Sequence, residues 1–347
     1  MKQDNAETIF TVRLKKILLK RNQKRLLNYI AGPLLFLLLS GSIYRTISRQ
    51  YNWHQIETIF FNAFNNKNHH LLFLLLLFMI TNWTLEAIKW KLVMKPVQRV
   101  SLFTACKAVY SGLSFSMFIP TAAGEYVGRT LYLHEGNRLR SLSLNVVGSI
   151  SQLLITLSAG AAGLFYLKDV LINQRASASL SLIWLNGLLY AVMVAIVVFA
   201  LIYFEIASFT RWFEKIPFIQ KHLIFVQGLE VFRFPQLTQI LGLSILRYVV
   251  FIVQYLLVFQ LFDVNIYWMQ AVSATAVLFL ILSAVPAVPN IAELGVRGEV
   301  SRQLFGLLSA NAAGIVFSAA CIWIVNLIIP AVAGSLFLLG IKIFRNK

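Results

Sequence analysis

Apolar residues form long stretches along nearly the whole chain, separated by short polar or basic segments. A helix needs roughly 20 predominantly apolar residues to cross a bilayer, and several stretches approach that length. The stretches are residues 27–48, 70–93, 102–119, 143–167, 181–204, 238–262, 270–288 and 311–340. The sequence does not show the short alternating segments of a membrane β-barrel. The pattern therefore predicts an all-α, polytopic membrane protein.

Basic residues beside these stretches predict the topology, because loops rich in Lys and Arg stay in the cytoplasm. Both ends of the chain are basic, so we expect both termini to be cytoplasmic. If residues 102–119 crossed fully, Arg138 and Arg140 would lie outside. A re-entrant hairpin avoids this: the chain enters, breaks at Pro120 and returns through residues 126–133.

The same reasoning predicts a second hairpin over residues 270–288 and 291–306, entering from outside. The expected fold has six full spans plus two oppositely oriented re-entrant hairpins. Eight full spans, which also leave both termini inside, remain the alternative. The hairpin topology places Arg138 inside and Ser309 outside. Opposed hairpins suggest an inverted repeat, whose binding site would lie near the bilayer midplane.

Charge composition refines the expected partners. The chain is 59% hydrophobic, 13% charged and carries a formal charge of +18. In a soluble protein this excess would suggest nucleic acid, but here topology and anionic inner-leaflet lipids account for it, so no nucleic-acid partner is expected. Residues 1–26 form a basic segment with near-helical apolar spacing. This predicts an amphipathic helix on the inner leaflet, or alternatively a solvated tail, before a single transmembrane domain at 27–347.

The sequence contains no recognisable catalytic or metal-binding motif. Its two cysteines, Cys106 and Cys321, lie in apolar runs, and its five histidines do not cluster at ligand spacing. We therefore expect no disulfide, metal or other cofactor, and no enzyme activity. Carboxylates within membrane helices, here Glu125 and Glu293, keep an embedded enzyme open as an alternative.

Two short polar stretches resemble each other and supply the candidate site. Each begins with a proline that breaks the helix and continues with glycines, a glutamate and an arginine. Ionisable groups at membrane depth are costly and are functional candidates. The candidate hinge residues are Pro120, Gly124, Gly128, Pro289 and Gly295, and the candidate binding residues are Glu125, Arg129, Glu293, Arg297 and Glu299.

Guanidinium groups bind phosphate with two hydrogen bonds, so Arg129 and Arg297 are expected to hold a lipid phosphate from opposite hairpins. The glutamates would balance them or bind an amine. Arg247, deep in its helix, is a third candidate. Structural ion pairs are the alternative for all of these. Glu86 can pair with Lys89 or Lys91, although snorkelling of these lysines to the interface is the favoured interpretation. Asn326 and Pro330 indicate a kink or a packing contact.

At these motifs the chain resembles the transmembrane, flippase-like domain family of lysylphosphatidylglycerol synthase. The residues that carry the resemblance are Pro120, Ala123, Gly124, Glu125 and Arg129, followed by Ala292, Glu293, Gly295, Arg297 and Glu299. The similarity covers roughly residues 25–340. It implies a helical protein of the inner membrane that moves, or helps to move, a polar lipid. It also implies a homodimer.

Three departures from the family pattern leave the lipid open. Ser151 and Gln152 stand where the family often has a Glu-Arg pair, Glu293 occupies a usual glycine position, and Gly298 precedes Glu299. No soluble aminoacyl-transfer domain follows in this sequence, so we expect no synthesis of aminoacylated lipid by this chain itself. The leading hypothesis is a flippase-like transporter that moves a polar phospholipid, aminoacylated or not, or a lipid-linked headgroup across the inner membrane. An enzyme or enzyme partner acting on a lipid-linked substrate, or a membrane scaffold, is the alternative.

Overall fold

The computed structural model describes residues 69–117, 122–173, 178–206, 229–284 and 290–339, and its regular structure is helical throughout these ranges. The helices are α1 (His69–Met94), α2 (Leu102–Ser116), α3 (Ala122–Thr130), α4 (Arg138–Asn173), α5 (Ala178–Phe204), α6 (Phe234–Leu261), α7 (Trp268–Ala284), α8 (Asn290–Phe305), α9 (Ala312–Trp323) and α10 (Ile329–Leu338). Single 3-10 turns lie at Glu135–Asn137 and Leu229–Val231. The basic segment 1–26, the expected first span at 27–48 and both hairpin prolines lie outside the described residues.

Within the described ranges, five helical stretches are long and apolar enough to cross a membrane. They are His69–Met94, Glu135–Lys168, Ile183–Phe204, Phe234–Leu261 and Gly314–Leu338. Each coincides with one of the full spans expected from the sequence. The prediction of an all-α membrane protein is therefore confirmed.

Helices α2 and α3 form a hairpin that opens at one end of the bundle. They have 15 and 9 residues, or roughly 23 and 14 Å of helix, against about 30 Å of hydrocarbon. The backbone amide of His134, after α3, donates to Oε1 of Gln98, before α2, at 3.0 Å. Asn137 Nδ2 also donates to the carbonyl of Val97 at 3.4 Å. The chain thus leaves and re-enters at the same end, which supports a re-entrant hairpin.

Helices α7 and α8 form a second hairpin, and hydrogen bonds again join its two ends. Asn311 Nδ2, just after α8, donates to the carbonyls of Phe262 and Asp263, just before α7, both at 3.1 Å. Helix α4 leads away from the mouth of the first hairpin and α5 returns, since Tyr203 near the end of α5 donates to the carbonyl of Leu237 at the start of α6 at 2.8 Å. Helix α6 then crosses once more, so the second hairpin opens at the opposite end.

Small residues hold α2 tightly between α3 and α10. A Cβ built on Gly128 would lie 2.7 Å from the Cα of Gly112, and one built on Gly334 would overlap the carbonyl of Tyr110. Ser111 Oγ also donates to the carbonyl of Gly334 at 3.5 Å. Close backbone approach of this kind is how helices commonly associate in membranes. It fixes the position of α3, which carries Glu125 and Arg129.

A π-helical turn at Ile324–Ile328 interrupts the last span between α9 and α10. Pro330 follows it. Because proline has no amide hydrogen, it cannot donate to the carbonyl of Asn326 four residues earlier. The sequence predicted a kink or a packing contact here, and the packing contact is present: Asn326 is buried in this turn and its Oδ1 accepts from Asn82. Such turns are frequent at functional sites.

The hairpin topology can be tested by cysteine labelling from the two sides of the membrane. Arg140 and Ala310 are exposed and lie at the opposite ends where the two hairpins open. In a background with Cys106→Ser and Cys321→Ser, Arg140→Cys is expected to react only from the cytoplasmic side. Ala310→Cys is expected to react only from outside. Labelling of both from the same side would contradict opposed hairpins.

Candidate functional site

Glu86 is the centre of a buried cluster of charges. Its side chain lies on α1 and is 5% exposed. Oε1 accepts a hydrogen bond from Arg129 Nη1 at 2.9 Å, while Oε2 accepts from Arg247 Nη1 and from Lys89 Nζ, both at 2.7 Å. One carboxylate thus binds three cations, from α1, α3 and α6. Such a group is stabilised at membrane depth only by partners of this kind.

Neighbouring polar groups fix the two guanidinium groups. Arg129 Nη2 is ion-paired with Glu125, one helical turn earlier on α3. Arg247 Nε donates to Asn82 Oδ1 at 2.8 Å, and Asn82 Nδ2 donates to Asn326 Oδ1 at 3.3 Å. The π-helical turn therefore supplies an acceptor that orients Asn82, and Asn82 in turn orients Arg247.

Arg247 also stacks against aromatic rings. Its guanidinium carbon lies 4.9 Å from the ring centroid of Trp83 and 5.4 Å from that of Phe251. Cation–π contacts of this length stabilise a desolvated cation. They offset part of the cost of burying this guanidinium beside a cavity.

A cavity of about 330 Å³ adjoins the charge cluster. Residues from α1, α3, α4, α6 and α7 line it, so the first hairpin and the inner end of the second both contribute, the latter through Ser283. Glu86 lies eight residues before the end of α1, about 12 Å along the helix axis. The cavity is thus well below the end of the bundle where the first hairpin opens.

Among the described residues that line the cavity, the charged side chains leave an excess of positive charge. They are Lys89, Arg129 and Arg247 on one side and Glu86 and Glu125 on the other. Three cations less two carboxylates give a net charge of +1. A cavity with this charge in a low-dielectric environment attracts an anion.

Several buried polar atoms beside the cavity have no hydrogen-bonding partner among the described residues. They are Trp83 Nε1, Trp90 Nε1, Arg129 Nε, Asn145 Oδ1 and Gln152 Oε1. All five residues line the cavity. Buried polar groups are nearly always hydrogen-bonded, and leaving one unpaired costs about 1–3 kcal/mol. Their concentration at one cavity indicates a polar occupant.

The cavity reaches the bundle surface between α3 and α4. Ser149 on α4 is exposed there, and its hydroxyl is hydrogen-bonded to the Tyr126 hydroxyl of α3. Val127 and Val146 flank this contact with 40% and 41% of their surfaces exposed. The mouth therefore combines a polar contact with apolar walls.

The structure brings together some of the residues predicted from the sequence. Arg129, Glu125 and Arg247 meet at the cavity. Gly128 contacts Gly112 in the hairpin, and Gly124 is buried beside it.

The predicted residues of the second motif are placed differently. Arg297 does not line the cavity, and its Nη1 donates to the Tyr255 hydroxyl at 3.2 Å. Glu299 pairs with Arg302 at 2.7 Å, and both side chains are about half exposed. Gly295 is exposed, and a Cβ there would meet no described atom within 4 Å. The side chain of Glu293 lies outside the described set.

Helix α1 contributes more of the site than the sequence-based interpretation predicted. The interpretation of Lys89 as a snorkelling side chain was wrong, because Lys89 is 3% exposed and paired with Glu86, whereas Lys91 is exposed. One face of α1 carries four polar or amphipathic residues at spacings of four, three and one: Asn82, Glu86, Lys89 and Trp90. This polar face inside an apolar run was the sequence signal that could have indicated the buried cluster.

Comparison with known families agrees with this architecture. Residues 29–334 match the family described as the lysylphosphatidylglycerol synthase TM region. The chain belongs to this family. Membership confirms the resemblance drawn from the motifs and identifies a membrane protein related to lipid metabolism. No curated protein matches the chain. Within this member of the lysylphosphatidylglycerol synthase TM-region family, the Glu86 cluster is the best-defined polar site in the described residues.

Proposed function

We propose that this protein moves a phospholipid across the membrane and that the cavity beside Glu86 holds the lipid phosphate. The observation that carries the proposal is a cavity of about 330 Å³ at which three described cations, Lys89, Arg129 and Arg247, face only two described carboxylates. Arginine forks match phosphate oxygens in geometry, and a desolvated site strengthens each contact.

The mouth of the cavity favours a lipid as the source of the phosphate. It opens between α3 and α4, where the valines Val127 and Val146 face outward. An acyl chain could lie against these residues in the bilayer while the headgroup replaces the contact between Tyr126 and Ser149. Only the headgroup would then need a polar path.

Movement between leaflets would use the opposed hairpins. Helix α3 of the first hairpin reaches the cavity from one end of the bundle, and α7 of the second reaches it from the other through Ser283. A phosphate bound to Arg129 and Arg247 competes with Glu86 and Glu125 for the same guanidinium groups. Binding would therefore weaken the ion pairs that hold α3 against α1 and α6, and it would favour a change in their relative position.

The test is lipid movement in proteoliposomes with Arg129→Gln and Arg247→Gln. We expect each variant to slow transbilayer movement of headgroup-labelled phospholipid by about 10- to 100-fold, the equivalent of one lost hydrogen bond to a charged group. Arg302→Gln is the matched control, since Arg302 is exposed and lies away from the cavity. Size-exclusion profiles show whether each variant remains folded.

Other outcomes distinguish the remaining functions. Unchanged movement in folded Arg129→Gln and Arg247→Gln would refute the proposed phosphate site. Chemical conversion of the lipid would indicate an enzyme, with Glu86 or Glu125 as the acid or base. Neither movement nor conversion, with a partner retained through purification, would indicate a scaffold.

A further inference from the structure

We infer that the cavity selects a phosphodiester headgroup that carries one net negative charge and hydroxyl groups, over headgroups that carry an ammonium group. This inference rests on the proposed phosphate site and concerns the rest of the headgroup. It is more specific than a polar phospholipid, and it disfavours an aminoacylated one.

The charge balance is the first reason. The lining residues sum to +1, from Lys89, Arg129 and Arg247 against Glu86 and Glu125. A phosphodiester with an uncharged headgroup contributes −1 and neutralises the site. A zwitterionic headgroup leaves +1, and a headgroup with a further lysyl group raises the sum to +2. Uncompensated charge is costly in a desolvated site.

The engaged carboxylates are the second reason. An ammonium group in a desolvated site needs a carboxylate to balance its charge. Glu86 already accepts from three cations and Glu125 is paired with Arg129. Among the described lining residues, both carboxylates are therefore committed to cations of the protein. An incoming ammonium group would have to displace one of them.

The unpaired donors on α1 and α3 suit the phosphate. Three buried atoms can only donate, and none has a partner among the described residues: Trp83 Nε1, Trp90 Nε1 and Arg129 Nε. Phosphate oxygens accept several hydrogen bonds at once. Two indole donors beside two guanidinium groups and one ammonium group thus form a site that favours an acceptor-rich anion.

The unpaired acceptors on α4 suit hydroxyl groups. Asn145 Nδ2 donates to the carbonyl of Ser141 at 2.9 Å, which leaves Oδ1 of Asn145 as the acceptor at the cavity. Gln152 lies seven residues later, on the same face of the helix. Its Oε1 also has no partner among the described residues. Neutral amide oxygens accept from hydroxyl groups without adding charge. The donors and these acceptors lie on different helices, as a phosphate and its polyol substituent would require.

Native mass spectrometry of the purified full chain tests the selectivity apart from transport. The probes are dioctanoyl phosphatidylglycerol, phosphatidylethanolamine and lysylphosphatidylglycerol, with glycerol phosphate as a water-soluble phosphate ester that has no acyl chains. We expect phosphatidylglycerol to bind about tenfold more tightly than either ammonium-bearing lipid, about the effect of one charge-assisted hydrogen bond. Glycerol phosphate is expected to bind more weakly than phosphatidylglycerol, because it has no acyl chains for the mouth.

Asn145→Asp sharpens the test, because it keeps the shape of the side chain and lowers the net charge of the cavity from +1 to 0. We expect it to remove or reverse the preference for phosphatidylglycerol. Gln239→Glu is the matched control, since Gln239 is exposed near the start of α6. It changes the charge of the protein equally, and we expect the preference to persist.

Equal or tighter binding of phosphatidylethanolamine or lysylphosphatidylglycerol to the native chain would overturn the inference. Equal binding of glycerol phosphate and phosphatidylglycerol would overturn the lipid as its source. The proposed transport has its own test. If the lipids bind in the expected order but none moves in proteoliposomes, the selectivity stands and the flippase activity is refuted.

Discussion

Glu86→Gln is expected to destabilise the folded chain by about 3–5 kcal/mol, because removing one partner of a buried ion pair leaves the other charge uncompensated. Here three cations, Lys89, Arg129 and Arg247, lose the carboxylate that they share. The amide would present two hydrogens to groups that are themselves donors. A large fall in the thermal unfolding midpoint in detergent measures the effect.

Glu299→Gln is the control for this prediction. Glu299 also pairs with an arginine, Arg302 at 2.7 Å, but both side chains are about half exposed. Exposed ion pairs contribute little to stability, so we expect no measurable change in the unfolding midpoint. Equal unfolding midpoints for Glu86→Gln and the native chain would show that the carboxylate does not hold the cluster together.

The same variant also reports on the anion. Glu86→Gln raises the net charge of the lining residues from +1 to +2. A phosphodiester lipid that binds the folded state stabilises it in proportion to its affinity. Dioctanoyl phosphatidylglycerol should therefore raise the unfolding midpoint of Glu86→Gln more than that of the native chain. A smaller rise would argue against phosphate at this position.

Long apolar runs and the placement of basic residues were enough to predict the helical spans that the structure describes. These signals depend on the thickness of the bilayer and on charge, which act on each segment separately. The hairpins followed from Arg138 and Arg140, and the hydrogen bond between His134 and Gln98 supports the first of them. The spans and the hairpin topology could therefore be predicted from the sequence, because each depends on how one segment interacts with the membrane.

The charge cluster depends instead on which helices meet at one depth. Lys89 lies near the end of an apolar run, where snorkelling is the ordinary outcome. It is buried because α3 and α6 bring Arg129 and Arg247 to Glu86 on the same face of α1. The likeness between the two polar motifs suggested equivalent roles for Arg129 and Arg297. Yet Arg297 donates to Tyr255 of α6, a contact that no local pattern indicates.

Gly334→Ala is expected to destabilise the chain by about 3 kcal/mol, at the upper end of the usual cost of overpacking. A Cβ at Gly334 would overlap the carbonyl of Tyr110, which is backbone and cannot rotate away as a side chain can. Relief requires α10 and α2 to separate, which would also lengthen the bond from Ser111 Oγ to the carbonyl of Gly334, now 3.5 Å. The thermal unfolding midpoint in detergent measures the loss.

Gly187→Ala is the control that separates the clash at Gly334 from the general effect of replacing glycine by alanine in a helix. Alanine favours a helix over glycine by about 1 kcal/mol wherever space allows. Gly187 lies in α5, and a Cβ there would meet nothing within 4 Å. We therefore expect Gly187→Ala to leave the unfolding midpoint unchanged or to raise it, whereas Gly334→Ala lowers it.

If the same substitution has opposite effects in the two helices, the loss at Gly334 comes from the contact between α2 and α10. Gly112 of α2 also packs against Gly128 of α3, the helix that carries Arg129. A displaced α2 should therefore shift Arg129 as well, and we expect Gly334→Ala to slow lipid movement. Equal effects at both glycines would contradict this assignment.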